Sequence, residues 1–189
     1  MVRRLSIRAG TRVLDVAAGT GSITRRLQAD GAEVVSLDQS PEMLSSAVRR
    51  GAIGVVATAE ELPFPDDTFD AVTFGYLLRY VDSVPGALSE LARVARPGGK
   101  VGMIEFGRPT GAWRGLWWLY TRAVLPVVGR LISPRWHDVG SFLGHSIDDF
   151  ADHWPPARLA ATWEASGLSD VTVVRMSLGG GLVVTATKP

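Results

Sequence analysis

Two groups of residues in this chain are of types and at spacings that could do chemistry. Near the front, Val13-Leu14-Asp15-Val16-Ala17-Ala18-Gly19-Thr20-Gly21 places glycines where an apolar run must turn sharply into a helix. Glycine tolerates the backbone angles of such a turn and lets a ligand approach the main chain closely. Asp38 closes the next apolar run, and an acid in that place can accept two hydrogen bonds from a ribose diol. Further back stand groups suited to moving or holding protons. Histidine is best matched to proton transfer near neutral pH, and His145 and His137 are candidates, with Asp138 able to orient a ring. His153, beside Trp154, reads as a surface residue. Arg79 could hold an anion or close a salt bridge at a sheet edge, and Tyr76 and Tyr80 could donate hydrogen bonds. Three histidines without tight spacing and no cysteine make no metal site, disulfide or thiol nucleophile.

The glycine turn is selective about its ligand. A dinucleotide fingerprint needs a third glycine where this chain has Thr24, and no P-loop pattern is present. Asp15 would repel a phosphate and suits a cationic or amino-bearing ligand. S-adenosylmethionine, with a sulfonium, an amino group and no phosphate, meets these conditions. A nicotinamide oxidoreductase is the competing reading, and Thr24 argues against it.

These groups need elements to position them. Strands are predicted at Arg12–Ala17, Glu33–Leu37, Ile53–Val56, Phe69–Gly75 and Lys100–Glu105. Helices are predicted at Ser22–Ala29, behind a Ser40 cap with Pro41 in the first turn, and at Val84–Arg96, stopped by Pro97-Gly98-Gly99. A Pro-rich acidic loop spans Glu60–Thr68. Strands alternating with helices give a parallel sheet covered on both faces, with right-handed crossovers: an α/β, Rossmann-like three-layer sandwich. After Phe106 the rhythm breaks. An aromatic helix over 113–132, a loop with Pro134, His137 and Asp138, a short helix near Ile147–Phe150 and a helix over Pro155–Ser166 follow. Two last strands lie near Val171–Arg175 and Leu182–Thr187.

The chain has 189 residues, enough for one domain with a full core. Its expected parts are a cofactor-binding half (1–105), a helical insert (106–150) and a sheet-completing end (151–189). The formal net charge of +1 argues against nucleic acid as a partner. The N-terminal stretch lacks the apolar segment of a secretory signal, no run is long enough to span a bilayer, and a cytoplasmic location is expected. All six tryptophans fall after residue 112, so the two halves face different demands.

Taken together, D-x-A-x-G-T-G from Asp15 to Gly21, the strand-end Asp38, Ala59–Asp70 (AEELPFPDDTFD) and Arg96-Pro97-Gly98-Gly99 resemble class I S-adenosylmethionine-dependent methyltransferases. The run from Arg93 to Phe106, Arg108-Pro109-Thr110, Leu125-Pro126, Leu143 with Ser146-Ile147, and Gly179-Gly180-Gly181 resemble the ubiquinone/menaquinone-biosynthesis C-methyltransferase family. The resemblance runs from residue 12 to 189. It implies a mostly parallel seven-stranded sheet with an antiparallel C-terminal strand. It also implies S-adenosyl-L-methionine as cofactor, held by Asp15, Ala17, Gly19, Thr20, Gly21, Asp38, Gln39, Met43, Thr58, Ala59, Glu60 and Phe74. The chain departs from the family at several places. Thr58 stands for the usual Asp, Leu78-Arg79-Tyr80 keeps the Arg of F-G-x-R-N and loses its Asn, Phe142 replaces a Tyr and His145 a Glu. Only a short segment precedes Arg12, where the family has a helical lid.

The expected reaction is methyl transfer to a small apolar acceptor, with carbon methylation of a demethylmenaquinone-like quinol leading. His145, Arg79 and Tyr80 are the catalytic candidates, since a quinol carbon becomes nucleophilic once a phenolic proton leaves. O- or N-methylation of another small molecule, or a non-catalytic cofactor-binding scaffold, are the alternatives. Trp113, Trp117, Tyr120 and Val124 share one helical face, with Arg114, Arg122 and Arg130 nearby. That face could pack in the core or in a homodimer, wall the acceptor pocket, or rest on a membrane surface.

Overall fold

A computed structural model of the chain describes residues 1–111, 113–124, 127–128 and 134–189, with the backbone alone over 134–141. Seven strands form one sheet: β1 (Arg12–Val16), β2 (Glu33–Asp38), β3 (Ile53–Val56), β4 (Phe69–Gly75), β5 (Ala95–Phe106), β6 (Ser169–Met176) and β7 (Gly181–Thr187). Their order across the sheet is β3-β2-β1-β4-β5-β7-β6. The first five run parallel, and β7 enters antiparallel between β5 and β6. The order reverses between β1 and β4, the place where open α/β sheets leave a crevice beyond their carboxyl ends.

Strand alternation divides the core into two faces. Leu14 and Val16 of β1, Leu37 of β2, and Val72 and Phe74 of β4 point to one side. There they meet α3 (Val84–Val94) and a C-terminal helix, Pro156–Ala165, through Leu88, Leu91, Leu159 and Trp163. Val13, Val34 and Ala71 point to the other side, against Leu27 of α1 (Ser22–Ala29). Asp15, Ser36 and Thr73 share that second face by the same alternation and are all fully buried. The second helix, α2 (Pro41–Val48), is capped as the sequence suggests, with the Ser40 hydroxyl accepting from the Met43 amide.

Three boundaries differ from expectation. α3 ends at Val94, and Ala95 is already extended and paired with Phe69. Pro97 disfavours a helical conformation for Arg96 before it, and a register shift absorbs the Pro-Gly-Gly stretch inside β5. The aromatic helix does not run on to 132 as one α-helix. It is α4 (Trp113–Leu119), followed by a π-helical turn over Tyr120–Val124. The Thr121 hydroxyl there donates to the Trp117 and Trp118 carbonyls, competing with the regular ladder. The expected loop around Pro134, His137 and Asp138 is instead the start of a 20-residue helix, α5 (Pro134–His153), which absorbs the short helix expected near Ile147. Proline in a first helical turn gives up no hydrogen bond, so Pro134 opens this helix without breaking it. The C-terminal helix (Pro156–Ala165) is α6. Leu125-Pro126 and Arg130, and the side chains of His137 and Asp138, lie outside the described residues.

Candidate functional site

A cleft of about 390 Å³ opens beyond the carboxyl ends of β1, β2 and β4. Its floor is the turn after β1. Ala17 and Gly19 both have positive φ, 53° and 55°, which swings the main chain around the cleft and strains Ala17. The turn is tied down from three sides. The Ala18 amide donates to the Leu37 carbonyl, and Arg50 reaches across from the end of α2 to the Thr20 carbonyl. Asp38 holds the third side: one oxygen accepts from the Gly19 amide at 2.7 Å, the other from the Ser40 amide at 2.9 Å. Each oxygen keeps a further lone pair, so the carboxylate can still accept from a ligand.

The opposite wall is the acidic loop. Glu60 accepts from the Asp82 amide at 2.8 Å, which joins the loop to the entry of α3. Arg93 staples the remainder by donating to the Leu62 and Phe64 carbonyls and to Glu90 and Asp66. Glu90 in turn accepts from the Leu62 amide, and its bonds with Arg93 hold its carboxyl below the usual range. The Arg93 of the R-V-A-R-P-G-G motif thus sets the height of Ala59 and Glu60 over the cleft.

Among the expected cofactor residues, Ala17, Gly19, Asp38, Gln39, Met43, Ala59 and Glu60 line this cleft. Thr20 and Thr58 are exposed beside it. Gly21 caps α1 with φ 80°, and a Cβ there would meet the Ala47 side chain at 2.9 Å, so it serves helix packing. Asp15 and Phe74 lie behind the wall. Phe74 stacks on Trp163 at 5.8 Å. Asp15 accepts from the hydroxyls of Thr24 (2.7 Å) and Thr73 (2.9 Å), and Thr24 also bonds Ser36. Burial pushes the Asp15 carboxyl up to about 6, against the lowering by those hydrogen bonds. The structure thus corrects the placement of Asp15: the residue two before Ala17 on β1 shares the α1 face, not the cleft. The sequence reading passed over Ser22, Ile23, Ala57, Gly75, Leu77 and Val81, which also line it. Strand-end position was a usable signal for Gly75; the others are small or apolar residues with no mark in the sequence.

Of the catalytic candidates, only Tyr80 lines the cleft, with Tyr76 beside it. Tyr76 has φ 58°, a strained conformation for a bulky residue, immediately after β4. Its ring lies 4.5 Å from that of Phe106. Burial, then the Glu105 carboxylate, raises the Tyr76 phenol above its usual range against the pull of Arg79. Arg79 itself is buried beneath the tyrosines, its side chain 2% exposed. It donates to Glu105 at 3.0 Å and to the Ser146 hydroxyl of α5 at 3.0 Å, and lies under the rings of Tyr80 and Phe106. It therefore joins β4, β5 and the insert, and its Nε and Nη1 are engaged within the protein. Burial raises the Glu105 carboxyl, and Arg79 opposes that shift. His145 is exposed on a neighbouring groove with Phe142, Asp149 and His153, its ring nitrogen 3.0 Å from Arg122. The stacked pair Tyr80–Phe142 stands where the groove and the cleft meet. The structure thus brings Tyr80 and the cofactor residues together and leaves His145 outside.

The donor set fits a nucleoside with a cationic tail and fits a phosphate poorly. Asp38 and Glu60 supply carboxylates, Leu37, Met43, Ala57 and Ile23 supply apolar walls, and among the described residues no arginine or lysine lines the cleft. Comparison with known proteins agrees with this geometry. The model of the ubiE/COQ5 methyltransferase family matches residues 1–188. A demethylmenaquinone methyltransferase of Mycobacterium sp. (strain KMS) is 40% identical over 188 residues, covering 98% of this chain and 79% of that relative. One from Tropheryma whipplei (strain Twist) is 37% identical over 183 residues, 94% of this chain and 74% of the relative. Among solved structures, a putative methyltransferase of Haloferax volcanii, in complex with the Trm112 activator, superposes with a TM-score of 0.71. It is 17% identical and covers 100% of this chain and 87% of its own. A phosphoethanolamine N-methyltransferase of Haemonchus contortus in complex with S-adenosyl-L-methionine gives 0.71 at 16% identity, over 100% of this chain and 51% of its own. At those identities the structures speak for the fold. On the match along its whole length and the identity to its relatives, the chain belongs to the ubiE/COQ5 methyltransferase family.

Proposed function

We propose that this enzyme transfers a methyl group from S-adenosylmethionine to a ring carbon of a demethylmenaquinone-like quinol. The observation that carries the reading is the cleft itself. Its nucleoside-binding side, Gly19 and Asp38, faces an aromatic wall of Tyr76 and Tyr80 across one continuous cavity. The relatives named above are demethylmenaquinone methyltransferases, which supports the acceptor class.

When bound, the cofactor supplies a methyl group on a sulfonium, an electrophile that needs no further activation. Asp38 would accept from the ribose hydroxyls, and its bonds to Gly19 and Ser40 keep it from turning. Orientation is the larger part of what the protein must provide, because attack demands reacting atoms at ~3–3.5 Å and in line. The acceptor ring is set by Tyr76 and Tyr80. The raised Tyr76 phenol stays protonated at neutral pH and can donate to the quinol oxygen left negative when its proton departs; that charge passes into the ring as the carbon takes the methyl, and the ring hydrogen then leaves as a proton. Arg79 is a positioning residue: it holds Tyr80 from below and pins α5 through Ser146.

The reading is tested by supplying methyl-labelled cofactor together with a quinol extract and a polar extract. Label in the quinol fraction, on a ring carbon, is the expected result. Label only in the polar fraction removes the quinol and retains the methyltransferase.

A further inference from the structure

The segment from Phe106 to residue 133 carries four arginines and no acid. Its described part is short of partners on its outer side. Trp113, Leu116, Trp118, Leu119, Tyr120, Val124, Val127 and Val128 are all exposed, Trp118 by 60% and Leu116 by 58%. Trp118 sits four residues from Arg114 and four from Arg122, so a broad aromatic ring is flanked along the helix by two cations. One further exposed apolar group comes from a distant part of the chain. The tight connection between β6 and β7 holds Leu178 at φ 59°, a strained conformation that leaves its side chain 64% exposed. That connection lies against the start of the insert, with Gly179 on Pro109 and Gly180 beside Trp117. Exposing leucine in a strained backbone is costly twice over, which points to a use for it.

We infer that this face, the outer side of α4 and the π turn with Leu178, is a docking surface for an anionic lipid bilayer. Tryptophan and tyrosine with leucine on one side and arginine at the margins are the residues of a helix lying in the headgroup layer. No helix among the described residues is long and apolar enough to cross a membrane, so contact would be from the side. A second copy of this chain is the poorer occupant. A twofold interface sets the same patch against itself, and a patch without acids offers Arg114 no counter-charge. Arg108 and Arg122 are partly neutralised by Asp152 and Asp148 of α5; Arg114 is exposed at the patch and forms no ion pair among the described residues. The usefulness of such a surface rests on the quinol reading, since an apolar acceptor partitions into lipid; the surface itself is argued from its residues.

The experiment is co-sedimentation of the full chain with vesicles of phosphatidylcholine containing phosphatidylglycerol, with no quinol present. The chain is expected in the pellet, less so at high salt and with phosphatidylcholine alone. The double variant Leu116→Ser/Trp118→Ser, and separately Leu178→Ser, should lower partitioning about tenfold or more. Arg114→Glu should lower it in a salt-dependent way. Cofactor affinity, read by calorimetry in the same variants, should be unchanged, which shows that they fold. Variants that sediment like the parent, or equal binding to neutral vesicles, would overturn the proposal. So would a parent that ignores vesicles and forms a dimer that Leu116→Ser/Trp118→Ser dissolves. Methyl transfer to a short-chain, water-soluble naphthoquinol is a separate assay. Its failure with vesicle binding intact counts against the acceptor reading and leaves the surface standing.

Discussion

The cofactor side and the insert are built on opposite principles. Around the β1 turn the main chain itself is tied down: the Gly19 and Ser40 amides by the Asp38 carboxylate, the Ala18 amide by the Leu37 carbonyl and the Thr20 carbonyl by Arg50. The insert from 106 onward is held by side chains at a few points. Arg79 reaches Ser146 from the sheet side, while Thr121 against Gly144 and Arg108 with Asp152 join the segment's own parts to one another. Trp113, Trp118, Tyr120 and Phe142 face outward. A region whose main chain is tied at several successive residues resists movement. One fastened by a few side chains can shift as a body, which suits the side of the molecule that must admit an acceptor.

The contrast can be broken first at its seam. Arg79→Ala leaves Glu105 buried and uncompensated, and should cost about 3–5 kcal/mol in denaturant unfolding. Hydrogen exchange should show the region around Ser146 loosened more than the β1 turn. A loss under about 1 kcal/mol would mean the pair is not the clamp between the regions.

Asp15 comes next and concerns only the front half. Its carboxyl is raised from 3.8 to about 6 in the folded chain, so the native state binds more protons than the unfolded one between those values. Its contribution to stability is therefore largest below about pH 4 and declines as pH rises through 6, by about 3 kcal/mol at most. The difference in stability between the parent and Asp15→Asn should change across that window and be flat above it. A difference with no pH dependence would place the carboxyl in a wetter site than described.

The two glycines of the turn should then separate. Gly21→Ala forces a Cβ into contact with Ala47 at a φ of 80° and should cost about 2 kcal/mol of stability. Gly19→Ala meets only the Met43 terminus at 3.7 Å, so its stability loss should be smaller. Its cofactor affinity should nevertheless fall about tenfold, because the new methyl enters the cleft. Equal effects of the two on affinity would erase the distinction between packing and binding. The smallest effect is expected at the outer face of the insert, where Trp118→Ala should change stability by less than about 0.5 kcal/mol.

Much of the front half was legible because its chemistry depends on local rules. α1, α2 with its Ser40 cap, β3 and β4 lie where turn residues and alternation put them. Asp38 was legible as a strand-end acid. The charge of Asp15 suggests a ligand contact, whereas its parity on β1, two residues from Val13, puts it on the α1 face. In the insert, a π turn set by one threonine and a helix opened by Pro134 cannot be read from apolar spacing, since both depend on what the segment packs against. Arg79 was found by motif, and its burial under Tyr80 came only with the fold. His145 is singled out by its place in the segment around Leu143 and Ser146-Ile147, and its exposure in the neighbouring groove comes only with the packing of α5.

The account stands on Asp38 and the β1 turn forming a nucleoside site that the insert does not share. Calorimetric titration of S-adenosylhomocysteine into the parent and Asp38→Ala tests this most directly. The account predicts measurable binding by the parent and a loss of about 100-fold in the variant, with folding retained. Unchanged affinity in Asp38→Ala would contradict it.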